Sequence, residues 1–412
     1  MKNILFISAG SFAFGESVMA LNFARSLPPS KYRPCFIASP LSSVLLDDYP
    51  ELKTVKLIKN AQKINRLMVV DFLEHYPPDL IVLCDFLTFD FSQPEFGITL
   101  QMLRGYDKPI ISLDSYEWES GDFTLDFFSG INKQLPRMLL QLDGALRPCP
   151  LNKPVPAGGR VASYSFLHQI QEWSNREARQ VREGLGISPD DFVIFSASAV
   201  WQSLRPKNKS GGLFGNIITE LFSQYISKLD RPIHWIRVGP ERQQDTTRKG
   251  LITEHNFSSL PESDFDRLLA ASDLLMTSNV ASTTLAKCIK NGKSALLLYS
   301  SIQANGPEDL SKYGDVRIND STLRLIENAY PIQPFMMFPL GWYRFLKPVM
   351  SDNPYLDTFY KSEILDEERV MSILEELISK KRPELSGQRE QYTSLLEGLR
   401  SPGECLEHFM GV

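Results

Sequence analysis

The stretch that most constrains this chain runs from Asp264 to Leu298. Asp264–Thr277 (DFDRLLAASDLLMT) sets a short amphipathic helix before a buried strand, and Lys293–Leu298 (KSALLL) supplies another apolar run. Short apolar runs without alternation are strands covered on both faces, the pattern of a parallel α/β sheet. Between them lie a loop of small residues (Ser278, Asn279, Ala281, Ser282) and a helix that starts at Ser282–Thr284. Strand, hydroxyl-rich loop and helix N-terminus make a phosphate cradle, because free N–H groups and the positive end of the helix dipole point at the loop. Ser278, Asn279, Ser282, Thr283 and Thr284 are its candidate ligands. An ordinary connection in an α/β domain has the same outline, and the residues alone leave both readings open.

The first half repeats the pattern. Asn3–Ser8 (NILFIS) reads as a central parallel strand, followed by AGSFAFGES and a helix over Val18–Leu27. This is the opening βα unit of a doubly wound fold. Gly10 and Gly15 do not have the GxGxxG spacing of a dinucleotide site. Further strands are expected at Tyr32–Ser39, Thr54–Ile58, Leu80–Leu83, Lys108–Leu113 and Gln141–Pro150. Asp85 and the segment Asp114–Glu119 (DSYEWE) fall at carboxyl ends of strands, where α/β sheets place ligands. Asp85, Asp114, Tyr116 and Trp118 are candidates to hold a sugar or aromatic acceptor by hydrogen bonding and stacking. A solvated loop is the alternative. Leu151–Ser163, rich in proline and glycine, reads as an interdomain linker or active-site loop.

In the second half, Ser174–Leu185 reads as a charged helix and Phe192–Ser196 as a strand. Ser196–Gly215 then reads as a long glycine- and basic-rich loop, with Ser196, Ser198 and Arg205 placed to meet phosphate. His234–Gly239 is a strand ending at Gly239. Pro334–Met350 has the composition of a membrane-interface patch. Its three prolines should break any helix, so a packed segment is the expectation. Asp366–Lys380 shows apolar residues at helical spacing, and Gln391–Leu399 reads as a last helix.

Composition narrows the function. A chain of 412 residues suits two domains, and a formal net charge of −5 argues against bulk electrostatic binding of nucleic acid. Five scattered cysteines without a CxxC pair suggest neither disulfides nor a zinc cluster. The N-terminal apolar run is too short for a signal segment, and no run reaches membrane-spanning length. A cytoplasmic protein is expected.

Ala271, Asp273, Leu274, Ser278, Thr284, Leu285, Gly292 and Lys293, with Gly15, Leu21, Ala24 and Leu27, sit at a spacing that resembles GT-B glycosyltransferases of the MurG- and UGT-like kind. The resemblance implies an α/β chain of two Rossmann-like doubly wound domains facing a cleft. Residues 1–165 would be the acceptor domain, 166–345 the nucleotide-sugar domain, and 346–412 a helical tail crossing back to the first domain. It implies a UDP- or dTDP-sugar donor, a small-molecule or lipid-linked acceptor, and neither metal nor cofactor. A peripheral membrane contact or protein partner is compatible with it, and nucleic acid is not a partner. Gly15 would face the acceptor, with Gly239 near the nucleotide and Gln303 and Asn305 on the donor sugar. Glu16 stands where the family carries its histidine base, so it becomes the candidate catalytic base, with a helix-start carboxylate as the alternative. Lys287 stands where the family tends to have glutamate, as an anion contact or an exposed side chain. Loss of catalysis in favour of a binding role, or nucleotide-sugar hydrolysis or epimerisation, remain alternatives on the same scaffold.

Overall fold

The computed structural model describes residues 1–10, 15–117, 124–126, 132–134, 141–155, 158–167, 170–198, 202, 209–240, 242–258, 260–338, 340–379 and 385–411. The chain divides into two compact units. One comprises Met1–Phe123, Leu135–Ile170 and Thr393–Val412, and the other Thr124–Gln134 and Gln171–Tyr392.

The strands of the first half are β1 (Lys2–Ser8), β2 (Tyr32–Ala38), β3 (Lys53–Lys56), β4 (Leu80–Leu83), β5 (Ile110–Leu113), the short β6 (Thr124–Asp126) and β7 (Asn132–Gln134), then β8 (Gly144–Cys149) and β9 (Val161–Ser165). The first unit holds a parallel sheet in the order β3-β2-β1-β4-β5-β8-β9. Its central strands are mostly apolar, as expected of parallel strands buried on both faces, and the buried Ser112 on β5 is tolerated because its hydroxyl donates to the Leu83 and Leu113 carbonyls. Phe6 stacks on Phe36 at 5.0 Å across β1 and β2. The chain steps outward from β1 to β3 and then returns to β4 on the other side of β1. The strand order therefore reverses between β1 and β4, the place where open α/β sheets leave a crevice. Helix α1 (Gly15–Arg25) starts above that point.

Two expectations change in this unit. The segment read as linker contains β9, which pairs with β8 from Ala145↔Val161 to Cys149↔Ser165 and completes the sheet. Its short VASYS run, after a proline- and glycine-rich stretch, left little apolar pattern to detect. The final helix is Pro402–Met410, closed by a capping box between Ser401 and Glu404, and it lies on this sheet. Cys405 Sγ is 3.8 Å from the Ser163 carbonyl, and a Cβ on Gly144 would stand 2.2 Å from Phe409 Cε1. Gly144 thus allows the helix its close approach.

The second unit carries β10 (Phe192–Ala197), β11 (Ile233–Val238), β12 (Asp245–Lys249), β13 (Ile252–Phe257), β14 (Leu274–Thr277), β15 (Ser294–Tyr299), β16 (Phe335–Met337), β17 (Gly341–Trp342) and β18 (Tyr360–Glu363). Its main sheet runs β12-β13-β11-β10-β14-β15-β18, with β12 alone antiparallel. This order reverses between β10 and β14. The stretch after residue 345 is therefore not wholly helical, since β18 joins this sheet.

The long loop expected over Ser196–Gly215 is shorter, because the helix Lys209–Ser227 already includes Gly211 and Gly212. Tertiary burial of Phe214, Ile217, Ile218 and Leu221 outweighs the poor helix propensity of those glycines. Pro334–Met350 also forms a helix, Tyr343–Met350, despite Pro348 inside it. Asp126 of β6 accepts hydrogen bonds from the Arg344 and Phe345 N–H groups at 2.9 Å each, capping the helix from far along the chain. Phe345, Leu346, Val349 and Met350 are buried, so this apolar segment is packed. Among the described residues, no helix is long and apolar enough to cross a membrane.

Candidate functional site

At the reversal point of the first sheet, four serines fasten α1 to the strand ends. Ser8 and Ser17 hydroxyls lie 2.6 Å apart, and Ser17 and Ser42 3.0 Å apart. The Ser39 hydroxyl donates to the Gly10 carbonyl at 2.6 Å. This network fixes where Glu16, in the first turn of α1, must stand. The sequence offered only strand-end serines as its signal.

Glu16 Oε2 is enclosed without a hydrogen-bond partner among the described residues. Burial, and next the charge of Asp85, push its carboxyl up to about 7. Asp85 caps the helix Phe86–Phe96, its Oδ1 accepting from the Thr88 N–H at 2.6 Å. Burial nonetheless raises its carboxyl to about 6. The two acids titrate as a pair, because two negative charges cannot both be held cheaply in one enclosed place. Tyr116 is buried beside them, and burial, Glu16 and Asp85, in that order, push its phenol well up. Asp114 is fully buried, 3.5 Å from Arg147, with its carbonyl accepting from Asn152 Nδ2 at 2.9 Å. Gly15 opens α1, where a Cβ would meet nothing within 4 Å. Trp118 lies outside the described residues.

In the second unit, the cradle is narrower than expected. The Val280 N–H donates to the Met336 carbonyl at 3.0 Å, and the Ala281 N–H to Asn279 Oδ1 at 2.9 Å. The Ser278 carbonyl accepts from the Phe338 N–H at 3.0 Å. Ser278 and Asn279 therefore shape the loop. Among the described residues the unengaged N–H groups of this loop are those of Thr283 and Thr284, at the start of the helix Thr283–Lys290; Ser282 occupies the N-cap without a side-chain cap bond, its own N–H donating to the Asn279 carbonyl at 3.3 Å. Across the reversal point, the Ser196 hydroxyl accepts from Trp235 Nε1 at 2.9 Å, and Ser198 is exposed. A Cβ on Gly239 would stand 2.3 Å from Ser198 Oγ, so Gly239 gives that hydroxyl its room. Arg205 lies outside the described residues. Gln303 and Asn305 are exposed, with Gln303 Oε1 accepting from Arg344 Nη2 at 3.1 Å.

Lys287 is neither exposed nor open to an anion. It is buried and pairs with Glu262 and Asp266 at 2.8 Å each. Burial pulls its ammonium down, but the two carboxylates more than offset this and the net shift is upward.

The sequence reading missed Glu363, at the end of β18. Its Oε2 accepts from the Ser301 N–H at 2.6 Å and the Ser301 hydroxyl at 2.9 Å, yet burial raises the carboxyl to about 7. Glu363, Glu16 and Asp85 all bind a proton more firmly in the folded chain than in the unfolded one. Their contribution to stability is full below the ordinary carboxyl values and is lost as pH rises through about 6 to 7. Denaturant unfolding between pH 4.5 and 8 should therefore show stability falling with pH, and Glu363→Gln should flatten part of that slope. A wild-type stability that climbs across this window would contradict the assignment.

Among the described residues, no group of three or more His, Cys, Asp or Glu side chains could hold a metal ion. A family model described as a family of unknown function (DUF6365) matches residues 23–411. No match was found among curated proteins. Of the solved structures, Arabidopsis thaliana UGT89C1 complexed with quercetin is similar at 13% identity and a TM-score of 0.56, covering 99% of this chain and 98% of that one. The same protein complexed with UDP gives 13% and 0.54, over 100% and 99%. Spinosyn forosaminyltransferase SpnP gives 12% and 0.54, with both chains covered at 100%. At such identity the likeness is one of fold, and the fold is that of the GT-B glycosyltransferases.

Proposed function

This chain belongs to the DUF6365 family, and we propose that it is a metal-independent glycosyltransferase that moves a sugar from a nucleotide diphosphate sugar to a small-molecule or lipid-linked acceptor. The observation that carries the reading is Glu16, a carboxyl with an enclosed, unpartnered oxygen and an affinity for protons raised to about 7, at the ligand crevice of the first sheet. A base poised near neutral pH suits removal of a hydroxyl proton.

In this reading Glu16 takes the proton as the acceptor oxygen forms its bond to the anomeric carbon. The bond from that carbon to the diphosphate breaks, and the nucleoside diphosphate leaves with the electron pair. The N–H groups of Thr283 and Thr284 and the hydroxyls of Ser282, Thr283 and Thr284 carry the charge that develops there, in place of a cation. Ser198 adds a hydroxyl to the phosphates. Gln303 and Asn305 face the donor sugar, while Asp85, Asp114 and Tyr116 line the acceptor side. The donor base is uracil or thymine.

The test is a thermal-shift series with UDP, dTDP, their sugar conjugates and NAD. Stabilisation by UDP or dTDP and none by NAD is expected. Silence toward every nucleotide would overturn the reading in favour of a binding or partner protein. Nucleotide release without any acceptor, or isomerised sugar, would place hydrolysis or epimerisation on the scaffold.

A further inference from the structure

We propose that the carboxyl edge of β5, β8 and β9 binds an oxyanion carried by the acceptor, with Arg147 as the recognising group. The proposal rests on reading the first unit as the acceptor half, and it adds a substrate class to that reading.

The buried polar atoms in this region without a hydrogen-bond partner among the described residues include Arg147 Nε, Ser115 Oγ, Asn152 Oδ1 and Ser165 Oγ. Their residues are 7%, 1%, 0% and 3% exposed. Buried polar groups in folded proteins nearly always find partners, so several orphans around one sheet edge call for a ligand. Their placement follows from the register. Arg147 lies opposite Ser163 and Cys149 opposite Ser165, so Arg147 and Ser165 share a face of the sheet. Leu113 lies opposite Leu146, which sets Asp114 and Ser115 at the end of β5 beside Arg147.

Among the described residues Asp114 is the ion-pair partner of the guanidinium, and at 3.5 Å from Nε the contact is too long to be a good hydrogen bond. Asn152 holds the backbone here, its Nδ2 donating to the carbonyls of Asp114 at 2.9 Å and Pro148 at 3.1 Å. Asp114 thus positions the fork without saturating it. A guanidinium offers five N–H donors in a plane that matches a carboxylate or phosphate. Two unpartnered serine hydroxyls supply further donors. The guanidinium and the two hydroxyls supply the donors that an oxyanion needs, while Asp114 balances part of the positive charge from Nε. Asn152 Oδ1, an acceptor, takes a hydrogen bond from a hydroxyl adjacent to that anion.

The probes that test this are glycerate, glycerol 3-phosphate and glycerol, titrated by calorimetry into the full chain. At least one of the two anions should bind about tenfold or more tighter than glycerol, a margin on the scale of one charge-assisted hydrogen bond. Which anion wins distinguishes a carboxylate from a phosphate acceptor. Arg147→Lys, which keeps the charge and loses the fork, should remove most of that margin, and Ser115→Ala with Ser165→Ala should reduce it several-fold. Equal affinity for glycerol and both anions, or anion binding unchanged in these variants, would overturn the proposal. The serine variant decides the matter should Arg147→Lys fail to fold. UDP titrated in parallel separates the two readings. Anion selectivity without UDP binding sinks the transferase and spares this site, whereas UDP binding without anion selectivity does the reverse.

Discussion

Glu16→Gln should lower turnover by about a hundredfold to ten-thousandfold, the usual contribution of a positioned base, while leaving nucleotide affinity unchanged. Glutamine keeps the shape of the side chain and its place in the first turn of α1, but it accepts no proton. The pH profile supplies an independent check. A base works only when unprotonated, so kcat/KM of the wild type should rise with pH and level off above about 7, the value to which burial and Asp85 raise Glu16. Asp85→Asn removes the neighbouring negative charge and retains a good helix cap, so it should move that limb to lower pH. An unaltered rate in Glu16→Gln would take Glu16 out of the mechanism. A limb that stays in place in Asp85→Asn would show that the acids do not act as a pair.

Lys287→Met should destabilise the fold by about 1–3 kcal/mol, below the full scale for a buried ion pair, because the lysine is buried while the Glu262 and Asp266 side chains stay 36% and 21% exposed. Methionine fills most of the space, but Glu262 and Asp266 lose their common cation. Burial already pushes the Asp266 carboxyl up, with Lys287 offsetting part of the rise. Without the lysine that rise is larger, so the loss of stability should shrink as pH falls and Asp266 takes up a proton. Adding Glu262→Gln and Asp266→Asn should recover much of the loss, because no buried charge is then left alone. Denaturant midpoints across pH measure all three. Nucleotide binding tests the role itself: Lys287→Met should bind UDP as the wild type does, and a large loss of affinity in a folded variant would return the lysine to the anion site.

The two sheets were legible because their strands are local. Leu80–Leu83 is apolar from end to end, and Ile110–Leu113, Leu274–Thr277 and Ser294–Tyr299 are apolar but for one small hydroxyl residue each, runs that few other structures tolerate at that length. The helix start at Thr283 was legible for the same reason, since small polar residues before an apolar periodicity form a local signal. What escaped was decided at a distance. The glycines of Lys209–Ser227 read as a loop until burial of its apolar face is known. Pro348 read as a helix breaker until Asp126 is seen capping Tyr343–Met350 from more than two hundred residues away. The polar strand β12 gave no apolar signal at all, because an edge strand with both faces wet needs none.

The chain by itself determined its fold class, the strand ends at which ligands gather, and Glu16 and Asp85 as candidates there. Tertiary structure alone decided their chemistry. Enclosure of two carboxyls at one reversal point raises both, and no local pattern encodes the loss of water that causes it. Tertiary structure likewise turned Lys287 from a candidate anion ligand into half of a buried ion pair. It also gathered Arg147, Ser115, Asn152 and Ser165 along one sheet edge from three separate stretches of sequence. The order in which strands pair and the register between them set that gathering, and both depend on contacts between residues far apart in the chain.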